Sequence, residues 1–331
     1  MAQKDTNPYK YSDSNKRYMT YDWYMKRRFG GKVAKVTLDI GCTCPNVDGT
    51  RGHGGCIYCK RGSRSAVGDD LKEQYENGVA TASRKWKPVG FIPYLQSNTN
   101  TYGDIEKLRE AYREAAEMDG AVMLDIATRA DCLSDEIIDE LVSVARRIPL
   151  TVELGLQTTC DRTAELINRC HDFEEFCLGY ARLKNAADKV NAEFDSGSEI
   201  LQMKRFLICV HIINGLPGEG ETEMLQTARD VATLSPDMIK IHLMHVIDGT
   251  PLGDMYLRGE YTPMEREEYV KVTCDQLEIL PPETVIARVT GDGIASELLA
   301  PMWSIRKTEV ANEIDKELYR RNSCQGANWS K

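Results

Sequence analysis

From residue 33 onward, near-continuous apolar runs alternate with polar stretches of helical period. The runs are KVTLDIG (35–41), VGFIPYLQ (89–96), AVMLDIATR (121–129), LTVELGLQ (150–157), RFLICVHIING (205–215) and MIKIHLMHVI (238–247). Strands buried on both faces of a parallel sheet read this way. The intervening segments carry helix-start signals. Asp104 opens 104–118, Ser134 opens 134–147 with Glu136 in its first turn, and Thr262-Pro263 opens 263–279. Residues 219–234 and 306–321 also read as helices, and ETVIARVT (283–290) offers one more strand. Six strand–helix units in succession predict an α/β fold, a partial TIM-like (β/α)6 barrel with a C-terminal extension. The expected division is an arm over 1–33, a barrel over 34–250 and an extension over 251–331. The polar stretch 186–205 is longer than an ordinary connection and is expected to form a surface insertion.

Composition narrows the class. The chain has 331 residues and a net charge of −9, and it contains no apolar run long enough to cross a membrane. Its first residues have no apolar core of a secretory signal, so a cytoplasmic location is expected. Eleven cysteines, an odd number, fit a reducing compartment better than a disulfide framework. Charge is uneven: residues 1–35 carry nine Lys/Arg against three Asp, a net +6, leaving −15 for the remainder. Tyr9, Tyr11, Tyr18, Tyr21, Trp23 and Tyr24 are interleaved with those cations. Such an arm suits nucleic acid, with cations on phosphates and rings on bases. Equally, the rings can pack onto the domain and leave the cations solvated.

The chemistry-bearing run is CTCPNVDGTRGHGGCIYC, which follows the first strand-like segment. Cys44, Cys56 and Cys59 are spaced x11 and x2, with Gly49, Gly52, Gly54 and Gly55 between them. Three thiolates can hold three irons of a 4Fe–4S cube and leave the fourth open. Glycines admit positive φ and let backbone N–H groups approach the cluster sulfurs. A structural zinc site using Cys42, Cys44, Cys56 and Cys59 is the alternative. Zinc thiolates usually come as two tight pairs, however, and Cys42-x-Cys44 is too tight for one.

The ordered motifs CPNVDGTRGHGGCIYC, NTNTYGD, VELGLQTT, INRCHDF, HIINGLPGE, KIHLMHV, GTPL, TGDG and LAPMWS resemble those of the YhcC/YtqA-type radical S-adenosylmethionine (SAM) proteins. That family is related to the elongator radical-SAM subunit and the coproporphyrinogen dehydrogenase group. The resemblance implies that Cys44, Cys56 and Cys59 hold a 4Fe–4S cluster whose open iron chelates SAM, and that reductive cleavage yields a 5′-deoxyadenosyl radical. It implies Tyr58 beside the adenine, Gln157 and Arg169 on SAM with the arginine at its carboxylate, His211 near the ribose, and Gln96 and Asn98 near the amino group or substrate. The implied partners are tRNA, at a wobble uridine, and a flavodoxin- or ferredoxin-type electron donor, with no membrane. A small metabolite or tetrapyrrole is the other substrate reading.

The chain departs from the family pattern at Cys42, Ala130, Cys160 and Cys170. Cys42 is an alternative ligand, and Cys160, Cys170 and Cys177 an alternative second cluster. His242 and His245, three apart, fall on opposite faces of a regular strand and so do not share a metal.

Overall fold

The computed structural model describes residues 7–60, 66–195, 203–291 and 295–330. Helix α1 (Tyr21–Phe29) leads into β1 (Val33–Leu38), followed by α2 (Leu71–Lys85), β2 (Gly90–Leu95), α3 (Ile105–Ala116) and β3 (Leu124–Thr128). The alternation continues through α4 (Asp135–Arg147), β4 (Leu150–Gln157), α5 (Asp161–Leu166), α6 (Phe173–Glu193), β5 (Phe206–Asn214), α7 (Glu221–Leu234) and β6 (Met238–Leu243). The chain then forms β7 (Val246–Ile247), α8 (Pro251–Leu257), α9 (Arg266–Ile279), β8 (Val285–Arg288), β9 (Leu298–Ala300) and α10 (Lys307–Arg320).

Seven strands pair in parallel in the order β1-β2-β3-β4-β5-β6-β8 and curl into a half-barrel. The run at 283–290 is therefore its seventh strand, supplied by the segment expected as an extension. Alternate residues of each strand divide between two cores. Leu38, Leu95, Ile126, Leu154, Val210 and Ile241 face the helices in the main core. Ile92, Met123, Leu207, Met238 and Val285, at or just before the strand starts, join a second cluster with Tyr9, Met19, Trp23, Tyr24 and Met25.

That second cluster decides the reading of the N-terminal arm. Its aromatics are not laid out for stacking on bases. Tyr9, Tyr18, Trp23 and Tyr24 are buried, and the cluster plugs the end of the half-barrel where the strands begin. The plug is fastened by backbone. Thr20 bridges Ile286 of β8, whose N–H donates to the Met19 carbonyl (2.8 Å), and the Tyr9 hydroxyl donates to the Pro282 carbonyl (2.6 Å).

Local signals behaved unevenly. Asp104 and Ser134 cap α3 and α4 through side-chain oxygens that accept from Lys107 N–H and Ile137 N–H. Thr262-Pro263 starts no helix. The Thr-Pro start lies instead at Thr250-Pro251, and α9 begins at Arg266. The stretch expected as a surface insertion opens as the last turns of α6, which bury Ala187 and Val190. Its residues 196–202 lie outside the described set. No helix among the described residues is long and apolar enough to cross a membrane.

Candidate functional site

The cysteine loop starts beyond β1, at the mouth where the parallel strands end. It folds back on itself: Val47 N–H donates to the Cys44 carbonyl, Arg51 and Gly52 N–H to that of Pro45, and Gly55 N–H to that of Asn46. Two glycines are required by space or conformation. A Cβ on Gly52 would stand 2.5 Å from the Cys170 sulfur, and Gly55 has φ +76°.

Asn46, fully buried, is the pin of this loop. Its Nδ2 donates to the carbonyls of Asn168 (2.7 Å) and Arg169 (3.0 Å) and lies 3.5 Å from the Cys56 sulfur. Its Oδ1 accepts from Arg129 (2.8 Å). Asn168 returns the grip, donating to the carbonyls of His53 and Gly55. Arg129 is held in a fork by Asp131 (2.9 and 2.8 Å). Its positive charge acts on Cys44, Cys56, Cys59 and Cys170.

Cys56 and Cys59 pair, and Cys44 lies near enough to act on Cys59. A hydrogen bond between the Cys56 and Cys59 sulfurs, helped by Tyr58, Arg129 and Asn46 against burial, brings Cys56 down to about 7. The same bond, then burial and the nearby Cys56 and Cys44, drives Cys59 well up. One thiolate of the pair therefore forms readily. Cys42 stands apart: it packs toward the main core, and burial raises it to about 11. Cys170 is turned to Asn168 Oδ1 (3.2 Å), which engages its thiol. Three soft donors on a glycine-rich loop, with a cation behind them, fit an iron–sulfur cluster.

The residues expected around SAM are placed as follows. Gln157 ends β4 at φ +71°, folded over Gly155, where a Cβ would meet its amide nitrogen at 2.7 Å. Asn98 (φ +61°), Asn168 (φ +56°) and Cys170 (φ +60°) share that left-handed conformation around the same mouth. Strain of this kind, of order 1–3 kcal/mol per residue, persists where surroundings over-determine it. Gln96 is exposed just beyond β2, and Asn98 donates to the Cys42 carbonyl (2.9 Å). Arg169 is buried. It spends Nη1 on the Leu156 and Thr158 carbonyls and Nε on that of His171, while Nη2 has no hydrogen-bond partner among the described residues. Nη2 instead lies 3.8 Å from Asp161 Oδ1, a long ion pair. Tyr58 packs against the apolar patch of Ile167, Leu216, Met244 and Leu252.

His211 does not stand alone near the mouth. Its Nε2 lies 3.0 Å from Glu153 inside the half-barrel. Glu153 is the hub of a buried ionic layer that sequence reading missed. Lys240 (2.5 Å) and Tyr94 (2.6 Å) donate to its Oε2, and Lys35 (2.9 Å) to its Oε1. Lys35 also pairs with Asp125. Burial works against every charge here, yet Lys240 and Lys35 hold Glu153 well below the usual carboxylate range. Asp125, more desolvated than compensated, is raised. Burial, with Lys240 adding, lowers His211 to about 4, and burial with His211 lowers His242, whose ring centre lies 5.3 Å away. Both imidazoles are neutral at pH 7.

His245 lies past the end of β6, so no regular strand spans it and His242. Among the described residues, Glu153, Cys209 and His211 place donor atoms within 4.8 Å of one another. A cation there would have to displace Lys240 and Lys35, and burial raises the Cys209 thiol far from ionisation. The group is an ion-pair layer, not a metal site. One signal for it was visible in the sequence: a lone charge inside each of four apolar strands, Lys35, Asp125, Glu153 and Lys240.

Residues 47–231 match the family model of the Radical SAM superfamily, and residues 236–320 that of the Radical_SAM C-terminal domain.

The chain belongs to the radical SAM superfamily.

It is 43% identical to YtqA of Bacillus subtilis over 97% of this chain and 95% of that protein. It is 30% identical to YhcC of Escherichia coli over 92% and 94%. A tRNA uridine(34) acetyltransferase of Methanocaldococcus jannaschii is 26% identical over 72% of this chain and 49% of that protein. Among solved structures, the Elp3 of Methanocaldococcus infernus superposes with a TM-score of 0.59 at 20% identity, covering 88% of this chain and 64% of that one. The YhcC/YtqA-type assignment and the partial TIM-like barrel expected from the sequence agree with these matches. The cofactors of a radical SAM enzyme are a 4Fe–4S cluster and SAM.

Proposed function

We propose that this radical SAM enzyme acts on the side chain of a tRNA wobble uridine. The observation that supports the chemistry is the Cys56–Cys59 pair with Cys44 acting on it, pinned by Asn46 and faced by Arg129. When bound there, the cluster and SAM supply a 5′-deoxyadenosyl radical. Cys44, Cys56 and Cys59 are the cluster ligands in this reading. Gln96, Asn98, Gln157 and Arg169, whose Nη2 makes no hydrogen bond among the described residues, line the SAM site, with Tyr58 packing beside it. His211 and His242, neutral and hydrogen-bond capable, face the lumen, where the substrate group enters. The ionic layer around Glu153 and the aromatic plug close the far side and exclude water from it.

The substrate class is supported by the tRNA uridine(34) acetyltransferase among the relatives. Residues 34–250 are read as the catalytic unit and 251–331 as an extension that completes its sheet. The enzyme works in the cytoplasm, reduced by a flavodoxin- or ferredoxin-type donor.

Two measurements test the reading. Anaerobically reconstituted protein should contain iron and sulfide and cleave SAM on reduction, and Cys56→Ala should lose both; a colourless wild type holding one zinc would overturn it. Mass spectrometry of tRNA nucleosides from cells lacking the gene should show a changed wobble uridine. An unchanged profile removes the tRNA assignment and leaves a small-molecule substrate.

A further inference from the structure

A helix C-terminus attracts cations, because its last carbonyls carry partial negative charge. The closed rim of the half-barrel goes beyond that rule. Helix α1 ends on Lys26, Arg27 and Arg28, and α2 ends on Arg84 and Lys85. Lys32 and Lys87 lie past both helices, on the turns entering β1 and β2. The pairing of Val33 with Gly90, and a 2.8 Å bond from Val89 N–H to the Lys32 carbonyl, set those turns side by side. Trp86 stands between them, 39% exposed, with Lys85 Nζ 4.6 Å and Lys32 Nζ 4.9 Å from its ring centre. Two segments far apart in sequence thus become one surface bearing seven cations.

Little on the protein neutralises it. Asp22 pairs with Lys26 (2.6 Å) and lies 3.6 Å from Lys32. Among the described residues, no ion pair engages Arg27, Arg84, Lys85 or Lys87. The band continues through Arg28, which donates to the Lys204 carbonyl (2.8 Å), to Arg205 over the half-exposed ring of Phe194. Crowded like charges repel one another, and this crowding persists in a chain of net charge −9. A polyanion relieves it, gaining affinity by releasing its own counterions.

We propose that this rim is a binding surface for folded RNA, with phosphates on Arg27, Lys32, Lys85 and Lys87 and an RNA ring or sugar edge against Trp86. The proposal rests on the tRNA reading above and adds where the RNA body is held. The rim and the cysteine loop lie at opposite ends of β1, whose six residues span roughly 20 Å. A free nucleoside cannot touch both; a folded RNA can lie along the barrel wall with one nucleotide at the mouth. An anionic membrane fits less well. Among the described residues, the large exposed apolar side chains of the band are Trp86 and Val89 at one end and Phe194 and Met203 at the other, and these form no continuous apolar face to insert.

The test uses full-length, cluster-loaded protein and unfractionated tRNA in filter binding across a salt series. Combined Lys32→Glu, Lys85→Glu and Lys87→Glu should weaken binding about tenfold or more near 0.1 M salt. The slope of log affinity against log salt should become shallower by about two to three. SAM cleavage should be unchanged, and control reversals at Lys72 and Lys107 should stay within about twofold. Trp86→Ala should weaken binding with the salt slope kept, as loss of a stacking contact does.

Wild-type affinity and slope in the triple variant would overturn the surface while leaving the tRNA reading standing. A wild type that binds no tRNA would bring down both. Preference for phosphatidylserine vesicles over tRNA, lost in the triple variant, would reassign the rim to a membrane.

Discussion

Where the strands begin, the half-barrel is shut by Tyr9, Met19, Trp23, Tyr24 and Met25 packed on Ile92, Met123, Leu207, Met238 and Val285. Where they end, it presents half-exposed to exposed cysteines, four non-glycine residues at positive φ, and an arginine Nη2 held only by a long 3.8 Å ion pair to Asp161. One end is largely apolar, although the Tyr21 hydroxyl and the Trp23 indole N–H are buried there without a hydrogen-bond partner among the described residues; the other is polar and strained. Between them lies the ionic layer of Lys35, Asp125, Glu153 and Lys240. The contrast teaches a division of labour within one sheet. Burial at the closed end stabilises the fold, so the mouth can hold conformations that weaken it.

Three substitutions probe that division. The largest effect is expected from Glu153→Gln. It leaves Lys240 and Lys35 short of a counter-charge in the interior, which should lower stability by about 3–5 kcal/mol in urea unfolding. A loss under about 1 kcal/mol would show that Asp125 suffices and that the layer has no hub. Trp23→Ala follows, at about 3 kcal/mol for a large side chain removed from the plug. The rate of SAM cleavage per folded molecule should not change; a slowed rate would mean that the plug shapes the site as well. Asn46→Ala is the mildest in stability, at about 1–2 kcal/mol, because Arg129 and two carbonyls lose partners. Its main effect should be faster loss of cluster absorbance in air. Wild-type cluster lifetime in that variant would show that the loop is held without its pin.

The strand order, the caps at Asp104 and Ser134 and the cysteine triplet were legible because each is written in adjacent residues: an apolar run, a side-chain oxygen before a helix, a spacing of thiols. The start of α9 was misplaced because Thr-Pro is permissive rather than obligatory. In the pair that does cap a helix, Thr250-Pro251, the Thr250 hydroxyl donates to the Ile247 carbonyl (2.7 Å) and its oxygen accepts from Gly253 N–H (3.0 Å). The arm was ambiguous for a similar reason. Cations and rings in alternation are compatible with RNA or with packing, and only the apolar strand starts beneath them, brought together by the sheet, favoured burial. Arg169 was expected at a ligand carboxylate, yet most of its donors serve the Leu156, Thr158 and His171 carbonyls. No spacing in the chain announces which backbone oxygens will be left short of donors.

By itself the sequence determined a parallel α/β sheet, a glycine-rich loop of closely spaced cysteines after its first strand, and membership of the radical SAM superfamily. Those follow from periodicity, donor chemistry and motif order, all local quantities. The tertiary structure alone decided that Cys42 packs toward the main core, that Asn46 and Arg129 brace the loop, that His211 lies against Glu153, and that Lys32 and Lys85 flank one tryptophan. Each depends on side chains from distant strands meeting where the curl of the sheet brings them together. Their energies come from burial and charge separation in three dimensions, which no stretch of the chain encodes alone.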